Sequence, residues 1–346
     1  MKMAFTWILA AVASLALCEG FTPLIPSTTR LNIQLQAEAQ ELTSDASTST
    51  STTTNTSRRT AVLICPAQFC VPADYDTFLS ALKEKLPNLS PSSRVAELPR
   101  TEWIKVARQL PTAEFFSANL NNAKTLQWYF DAMEQGLADI YAEEGEDVNV
   151  CIIGHSIGGW VARSYLGGLG QRSTAVYKST IDRCTSLVTL GSPHKAPSTA
   201  LVDQTRGLLR AVEESEECSS EGLAAKGISV TCVGSTAVKG NIFTTNVEEI
   251  VATTSYIPLV DDWKDILSST GINGDGIIPR DLAFMEAPSK RIEVSTCSIT
   301  GNNVRHAHVL PTPYNLWDPA APSIPLPEDF CWYGSPGVLD QWIENI

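Results

Sequence analysis

A chain of 346 residues with 25 Lys plus Arg against 38 Asp plus Glu carries a formal net charge of −13. That balance disfavours nucleic acid or an anionic membrane held by charge, and a neutral or lipophilic substrate fits better. The length admits one large α/β domain or two small ones, and the pattern below favours one. Residues 1 to 20, MKMAFTWILAAVASLALCEG, have the basic start, apolar middle and small closing residues of a signal peptide. Their apolar run, Ala4 to Leu17, is shorter than the ~20 residues that span a bilayer, so no transmembrane segment is expected in the mature chain. Residues 21 to 58 are rich in Ser and Thr and cannot bury a core, which makes them a transit peptide or linker.

Phe21-Thr22-Pro23, directly after the leader and before the hydroxylated tract, resembles the opening of the bipartite plastid-targeting presequence of algae with secondary plastids. The resemblance implies delivery to a plastid through the secretory route; secretion with a Ser/Thr-rich stalk is the rival. Of nine cysteines, Cys18 leaves with the leader, and Cys65, Cys151, Cys232 and Cys297 fall in apolar, strand-like runs. Those four read as small buried hydrophobes, not a disulfide framework, which suits a reducing compartment. Cys70, Cys184, Cys218 and Cys331 lie in loops or at element ends, where pairing stays open.

The domain is expected to occupy residues 59 to 346. Thr60 to Pro66 reads as the first strand, and DYDTFLSALKEKL after it as a helix with Phe78, Leu79, Leu82 and Leu86 on one face. Arg94 to Leu98 is a short second strand. A long helix follows with Leu126, Phe130, Met133, Leu137 and Ile140 in line, closed by Gly145. Val148, Val150, Ile152 and Ile153 form a continuous apolar run of the kind a buried parallel strand requires. Residues 185 to 190, 227 to 233 and 291 to 297 complete about six strands. Their alternation with helices predicts a mostly parallel sheet covered on both faces. Ser335 is placed to cap a last helix beginning at Pro336, with Val338, Leu339 and Trp342 facing inward.

The chemistry gathers at Gly154-His155-Ser156-Ile157-Gly158. A serine at the sharp bend between strand and helix needs small residues two positions either side, and GxSxG supplies them. GGWVARSYLGGL continues as the helix, with Trp160, Val161 and Tyr165 at helical spacing, so Ser156 is the candidate nucleophile. A hydroxyl needs a base to take its proton and an acid to orient that base. In an α/β-hydrolase both lie downstream, acid first. Asp275, between two glycines in NGDGIIP, is the candidate acid; His306 and His308, after the last strand, are the candidate bases.

GHSIGGW, TLGSPH at 189 to 194, GDGIIP at 274 to 279, NVRHAH at 303 to 308 and the late WYGSP together resemble the lipase-like α/β-hydrolases of plant and algal plastids, related to the GPI-inositol-deacylase and lipase group. The resemblance implies an α/β-hydrolase fold and Asp275 as the acid. Aligning the family's GVxH with NVRH favours His306 as base, His308 remaining the alternative. The oxyanion hole is expected from the N–H of Ile157 and of Gln68, where relatives carry a PGF-like turn and this chain reads Pro66-Ala67-Gln68-Phe69. His155 is expected to pack under the elbow and His194 to border the pocket. Two inserts, 195 to 226 with Leu208, Leu209 and Val212, and 237 to 272 with Tyr256, Ile257, Leu259, Val260 and Trp263, read either as ordinary packing or as a lid over an acyl cleft. The expected activity is hydrolysis of a lipophilic, acyl-lipid ester through an acyl-enzyme, with a membrane surface as one place where such a substrate is met. An acyltransferase or thioesterase on the same residues, and a catalytically silent binding module, stay open. No metal or organic cofactor is implied, since HExxH, paired CxxC and GxGxxG do not occur.

Overall fold

A computed structural model describes residues 59–145, 147–170, 174–197, 203–259, 270–311, 318–327 and 329–346. The leader and Ser/Thr tract, and Val260 and Trp263 of the second insert, lie outside the described residues. Six strands form one sheet: β1 (Arg59–Cys65), β2 (Arg94–Val95), β3 (Val148–His155), β4 (Cys184–Leu190), β5 (Ser229–Ser235) and β6 (Lys290–Val294). Their spatial order is β2-β1-β3-β4-β5-β6, and every neighbouring pair is parallel. This is the α/β-hydrolase fold.

Side chains alternate across a strand, and the sequence uses both faces. On β1, Ala61, Leu63 and Cys65 join one core cluster while Val62 and Ile64 join the other. On β3, Val148, Val150 and Ile152 fall on the first face, Cys151 and Ile153 on the second. The apolar run is therefore unbroken because both faces are covered. Helix α1 (Asp76–Lys85) covers the second face with Phe78 and Leu82. Helix α2 (Gln127–Glu144) covers the first with Phe130, Met133, Leu137 and Ile140, and stops at Gly145, whose φ of 73 ends the helical run. The remaining helices used below are α3 (Ile157–Gly167), α4 (Thr174–Ile181), α5 (Leu208–Glu213), α6 (Ser220–Ala225), α7 (Val247–Tyr256) and α8 (Pro336–Leu339).

Two expectations are corrected. The outer strands are shorter than their apolar runs: β2 ends at Val95 and β6 at Val294, after which the chain turns, with Cys297 N–H donating to Asn302 O at 2.9 Å. The side chain of Ser335 does not cap α8; its Oγ accepts the N–H of Trp332 at 3.0 Å. Of the two readings of the first insert, its described residues favour packing: Leu208, Leu209 and Val212 are buried in the main core. Arg163 of α3 anchors it, donating to Cys218 O at 2.6 Å and to His194 O at 3.1 Å. The second insert carries its own small cluster of Val238, Ala252 and Tyr256 and leaves Phe243 and Val247 exposed. The eight described cysteines are buried free thiols. No helix among the described residues is long and apolar enough to cross a membrane.

If packing of α2 on β1 and β3 holds the sheet, Leu137→Ala should lower the free energy of urea unfolding by about 2–5 kcal/mol, whereas Phe116→Ala, at a 71 % exposed position, should change it by less than about 0.5 kcal/mol.

Candidate active site

β3 lies inside the sheet and delivers Ser156 at its carboxyl end, with φ 54 and ψ −123. A non-glycine residue in this region is strained, and the neighbours hold it there. Ser156 N–H donates to Leu190 O at 2.9 Å, and Ser192 Oγ donates back to Ser156 O at 2.5 Å. The flanking glycines are needed for contact: a Cβ on Gly154 would meet the backbone of Gly158 and Gly159, and one on Gly158 the carbonyls of Cys65 and Pro66. The second contact also sets the start of α3 against the loop after β1.

Three residues far apart in the chain converge. Ser156 Oγ lies 2.9 Å from His306 Nε2, and His306 Nδ1 lies 2.7 Å from Asp275 Oδ2. An ionised carboxylate only accepts, so Nδ1 carries the imidazole proton and Nε2 is left to accept the serine proton. Burial pushes the Asp275 carboxyl up, but the charge and hydrogen bond of His306 and the N–H groups of Ile278 and Ile277 outweigh it, and the net shift is downward. His308 is brought elsewhere. Its Nε2 lies 2.6 Å from Asp74 O, to which it donates, and its ring stacks on Trp332 at 4.0 Å.

The loop after β1 is held at two points. Tyr75 Oη accepts Ala67 N–H at 2.8 Å, and Arg100 Nε donates to Phe69 O at 3.0 Å. Between these anchors Gln68 N–H has no hydrogen-bond partner among the described residues, and the same is true of Ile157 N–H. Both donors expected for an oxyanion hole are therefore unspent. Because Tyr75 accepts from Ala67, its own proton goes to His155 Nδ1 at 2.8 Å. His155 Nε2–H then donates to His306 O, also at 2.8 Å. The buried histidine of the elbow thus joins the β1 loop to the backbone of the base-bearing segment. His194 does not border a pocket as expected. It is 2 % exposed, its N–H donates to Leu282 O at 2.8 Å, and its Nε2 lies 3.0 Å from Thr189 Oγ1.

Sequence reading missed Tyr75, Arg100, Ser192 and Tyr333, all of which act through contacts distant in sequence. Ser192 and Tyr333 left a sign, inside the TLGSPH and WYGSP segments. No cluster of three His, Cys, Asp or Glu suited to a metal occurs among the described residues. A cleft of ≈ 600 Å³ bordered by Asn149, Ser186, Thr231 and Lys290 opens at the other end of the sheet, the amino ends of the strands.

The family profile described as PGAP1-like alpha/beta domain matches residues 105–306. Comparison with curated protein sequences gives no match. Among solved structures, a metagenomic carboxyl esterase, MGS0156, is similar at 12% identity over 84% of this chain and 76% of that one, with a TM-score of 0.42. Phospholipase PlaB from Legionella pneumophila, in complex with thio-NAD, is similar at 13% identity over 52% of this chain and 38% of that one, with a TM-score of 0.29.

Burial, and secondarily the neighbouring His306, pushes His155 down to about 3; burial also places His194 well below the ordinary imidazole range and lowers His308. His155 stays neutral in the fold and takes up a proton once unfolded. Above pH ~6.5 it does not affect folding; below that, down to its folded value, it removes about 1.4 kcal/mol of stability per pH unit, and His194 and His308 act in the same direction. Urea unfolding between pH 7.5 and 5 should show stability falling with pH, with a slope shallower by about one proton in His155→Gln. Equal slopes in the two proteins would remove His155 from this account.

Proposed function

The chain belongs to the PGAP1-like alpha/beta domain family, and on that footing we propose that it is a serine hydrolase of acyl-lipid esters. The observation that carries the reading is the continuous hydrogen-bonded line from Ser156 Oγ through the His306 ring to Asp275 Oδ2. In the first half-reaction Ser156 Oγ bonds to the ester carbonyl carbon while its proton passes to His306 Nε2. The N–H groups of Ile157 and Gln68 receive the developing oxyanion. Collapse breaks the bond to the alcohol, which leaves with the proton from Nε2, and the acyl group stays on Ser156. Water then repeats the sequence: its proton goes to His306, its oxygen to the acyl carbon, and Ser156 is restored as the acid leaves. Asp275 keeps the ring in the tautomer both halves require and steadies the imidazolium between them.

A lipophilic substrate is supported by the family relationship and by the net charge of −13, which disfavours a substrate held by its negative charge. Plastid residence, and membership of the plant and algal plastid group within the family, belong to the same proposal and rest on the leader sequence and Phe21. Residues 1 to 60 fused to a fluorescent reporter should direct it to the stroma of an alga with a complex plastid, and Phe21→Ala should strand it in the secretory system.

Fluorophosphonate labelling followed by mass spectrometry should place the adduct on Ser156 and lose it in Ser156→Ala. An adduct elsewhere on well-folded protein ends the proposal. His306→Ala should lower kcat by ~10³-fold or more, while His308→Ala, which loses the bond to Asp74 O and the stacking on Trp332 but no contact with Ser156, should stay within about 100-fold of the parent.

A further inference from the structure

Asp275 is surrounded by donors. Oδ1 accepts the N–H of Ile277 at 2.9 Å and of Ile278 at 2.7 Å. Oδ2 accepts His306 Nδ1–H at 2.7 Å and, from a residue far along the chain, the hydroxyl of Tyr333 at 2.8 Å. Tyr333 is fully buried, and its oxygen already accepts Ser235 N–H at 3.1 Å, so its one proton has a single destination. We propose that Tyr333 is a positioning residue for Asp275, fixing the carboxylate to the end of β5 and sharing its charge on the same oxygen that faces the base. The proposal rests on the hydrolase reading above.

Three further observations carry it. Trp332 pairs in parallel register with Arg305, which sets Tyr333 beside His306 on adjoining extended segments. Ser235, whose N–H holds the phenol, also donates its Oγ to Val304 O at 2.7 Å, so one residue at the strand end steadies both partners of the carboxylate. Space has been left for the pair: Gly191 has φ +56, and a Cβ there would lie 2.7 Å from Asp275 Oδ2, 2.7 Å from Tyr333 Cε2 and 3.0 Å from its Oη. The glycine of the TLGSPH segment is thus required by the contact it borders. Tyr333 stays protonated, since burial first and the adjacent Asp275 charge second push its phenol well above the ordinary range.

A second donor on Oδ2 withdraws negative charge from the oxygen that holds His306. Two other titratable groups face this centre: His155, neutral, with its ring 5.3 Å from that of His306, and Tyr256, whose Oη accepts Gly276 N–H at 2.9 Å. Both keep their bonds when only the Tyr333 hydroxyl is removed. Tyr333→Phe should therefore leave Asp275 less well held as an anion and its carboxylate more strongly attractive to the imidazolium.

The test has two readouts on the full chain. With ¹³C-labelled aspartate, the Asp275 carboxyl should titrate at higher pH in Tyr333→Phe than in the parent, and at lower pH when a fluorotyrosine, a stronger donor, replaces Tyr333. The acid limb of kcat/KM for a short-chain ester should rise by ~0.5–1 pH unit in Tyr333→Phe, a loss of about 3–10-fold below the limb with far less on the plateau. A purely structural tyrosine would lower the melting temperature and leave both profiles in place, and that result overturns the proposal. If the parent shows no Ser156-dependent turnover, the hydrolase reading falls by itself, while the carboxyl titration still decides the role of Tyr333.

Discussion

A serine held at φ 54 costs on the order of 1–3 kcal/mol, and it persists only where the surroundings over-determine it. Here the surroundings are the sheet itself. β3 pairs from Val148 to Gly154 with β1 on one side and runs along β4 on the other. Both of its faces are buried, and α3 begins at the residue after the serine. The bend cannot relax without moving α3 off the β1 loop or breaking the bonds to Leu190 and Ser192. The hydroxyl is therefore fixed by packing energy spread over two core clusters, and the remaining parts of the site are brought to it.

Those parts come from segments that are poorly fixed by themselves. His306 follows a two-residue strand, and Asp275 sits in a turn between glycines. Each is secured by groups from elsewhere. His155 and Ser235 bond to the carbonyls of His306 and Val304, while Tyr256 accepts the N–H of Gly276. These are backbone contacts, which restrain position without competing for the atoms that carry the proton. Of these supporting side chains Tyr333 is the one that bonds to the carboxylate itself, on the oxygen that also holds His306. The division follows from the chemistry: loop backbone has unsatisfied groups that any polar side chain can use, whereas the charge on Oδ2 can be shared only by a proton donor that reaches it.

The sheet was legible because two covered faces demand unbroken β-branched runs, and β1, β3 and β4 have them. The elbow was legible because strand, glycine-flanked serine and helix occur in local order. Asp275, and His306 with His308, could be offered because they follow the candidate nucleophile in the order the fold permits; the likeness of NVRH to the family's GVxH is what favoured His306 of the two. What stayed hidden is non-local. Leu208, Leu209 and Val212 make the same apolar stripe whether they cover a cleft or pack on α3, and only the folded structure, with their burial in the core and Arg163 reaching Cys218 O, favours the second. Tyr75, Arg100 and Tyr333 look like ordinary buried or surface residues until folding sets their polar ends beside Ala67, Phe69 and Asp275. Ser335 shows the limit of local rules: the sequence offers it to α8, and tertiary structure offers it the N–H of Trp332 instead.

The two late histidines show how one segment serves two ends. An extended chain carries residues i and i+2 on the same side, about 6 to 7 Å apart. His306 and His308 accordingly face a common wall, one reaching Ser156 Oγ and the other Asp74 O. The wall is aromatic. The ring of His155 lies 5.9 Å from that of Tyr75, and Tyr75 lies 6.1 Å from both His308 and Trp332. Burial among these rings lowers both His155 and His308, and a neutral His155 can donate from one nitrogen while it accepts at the other. Protonation would put a proton on both nitrogens and turn the bond from Tyr75 into a clash of donors. The dry wall therefore has an electrostatic consequence beyond packing: it removes competing charge from beside His306 and leaves Asp275 as the anion to which the imidazolium responds, in surroundings where that attraction is little screened by water.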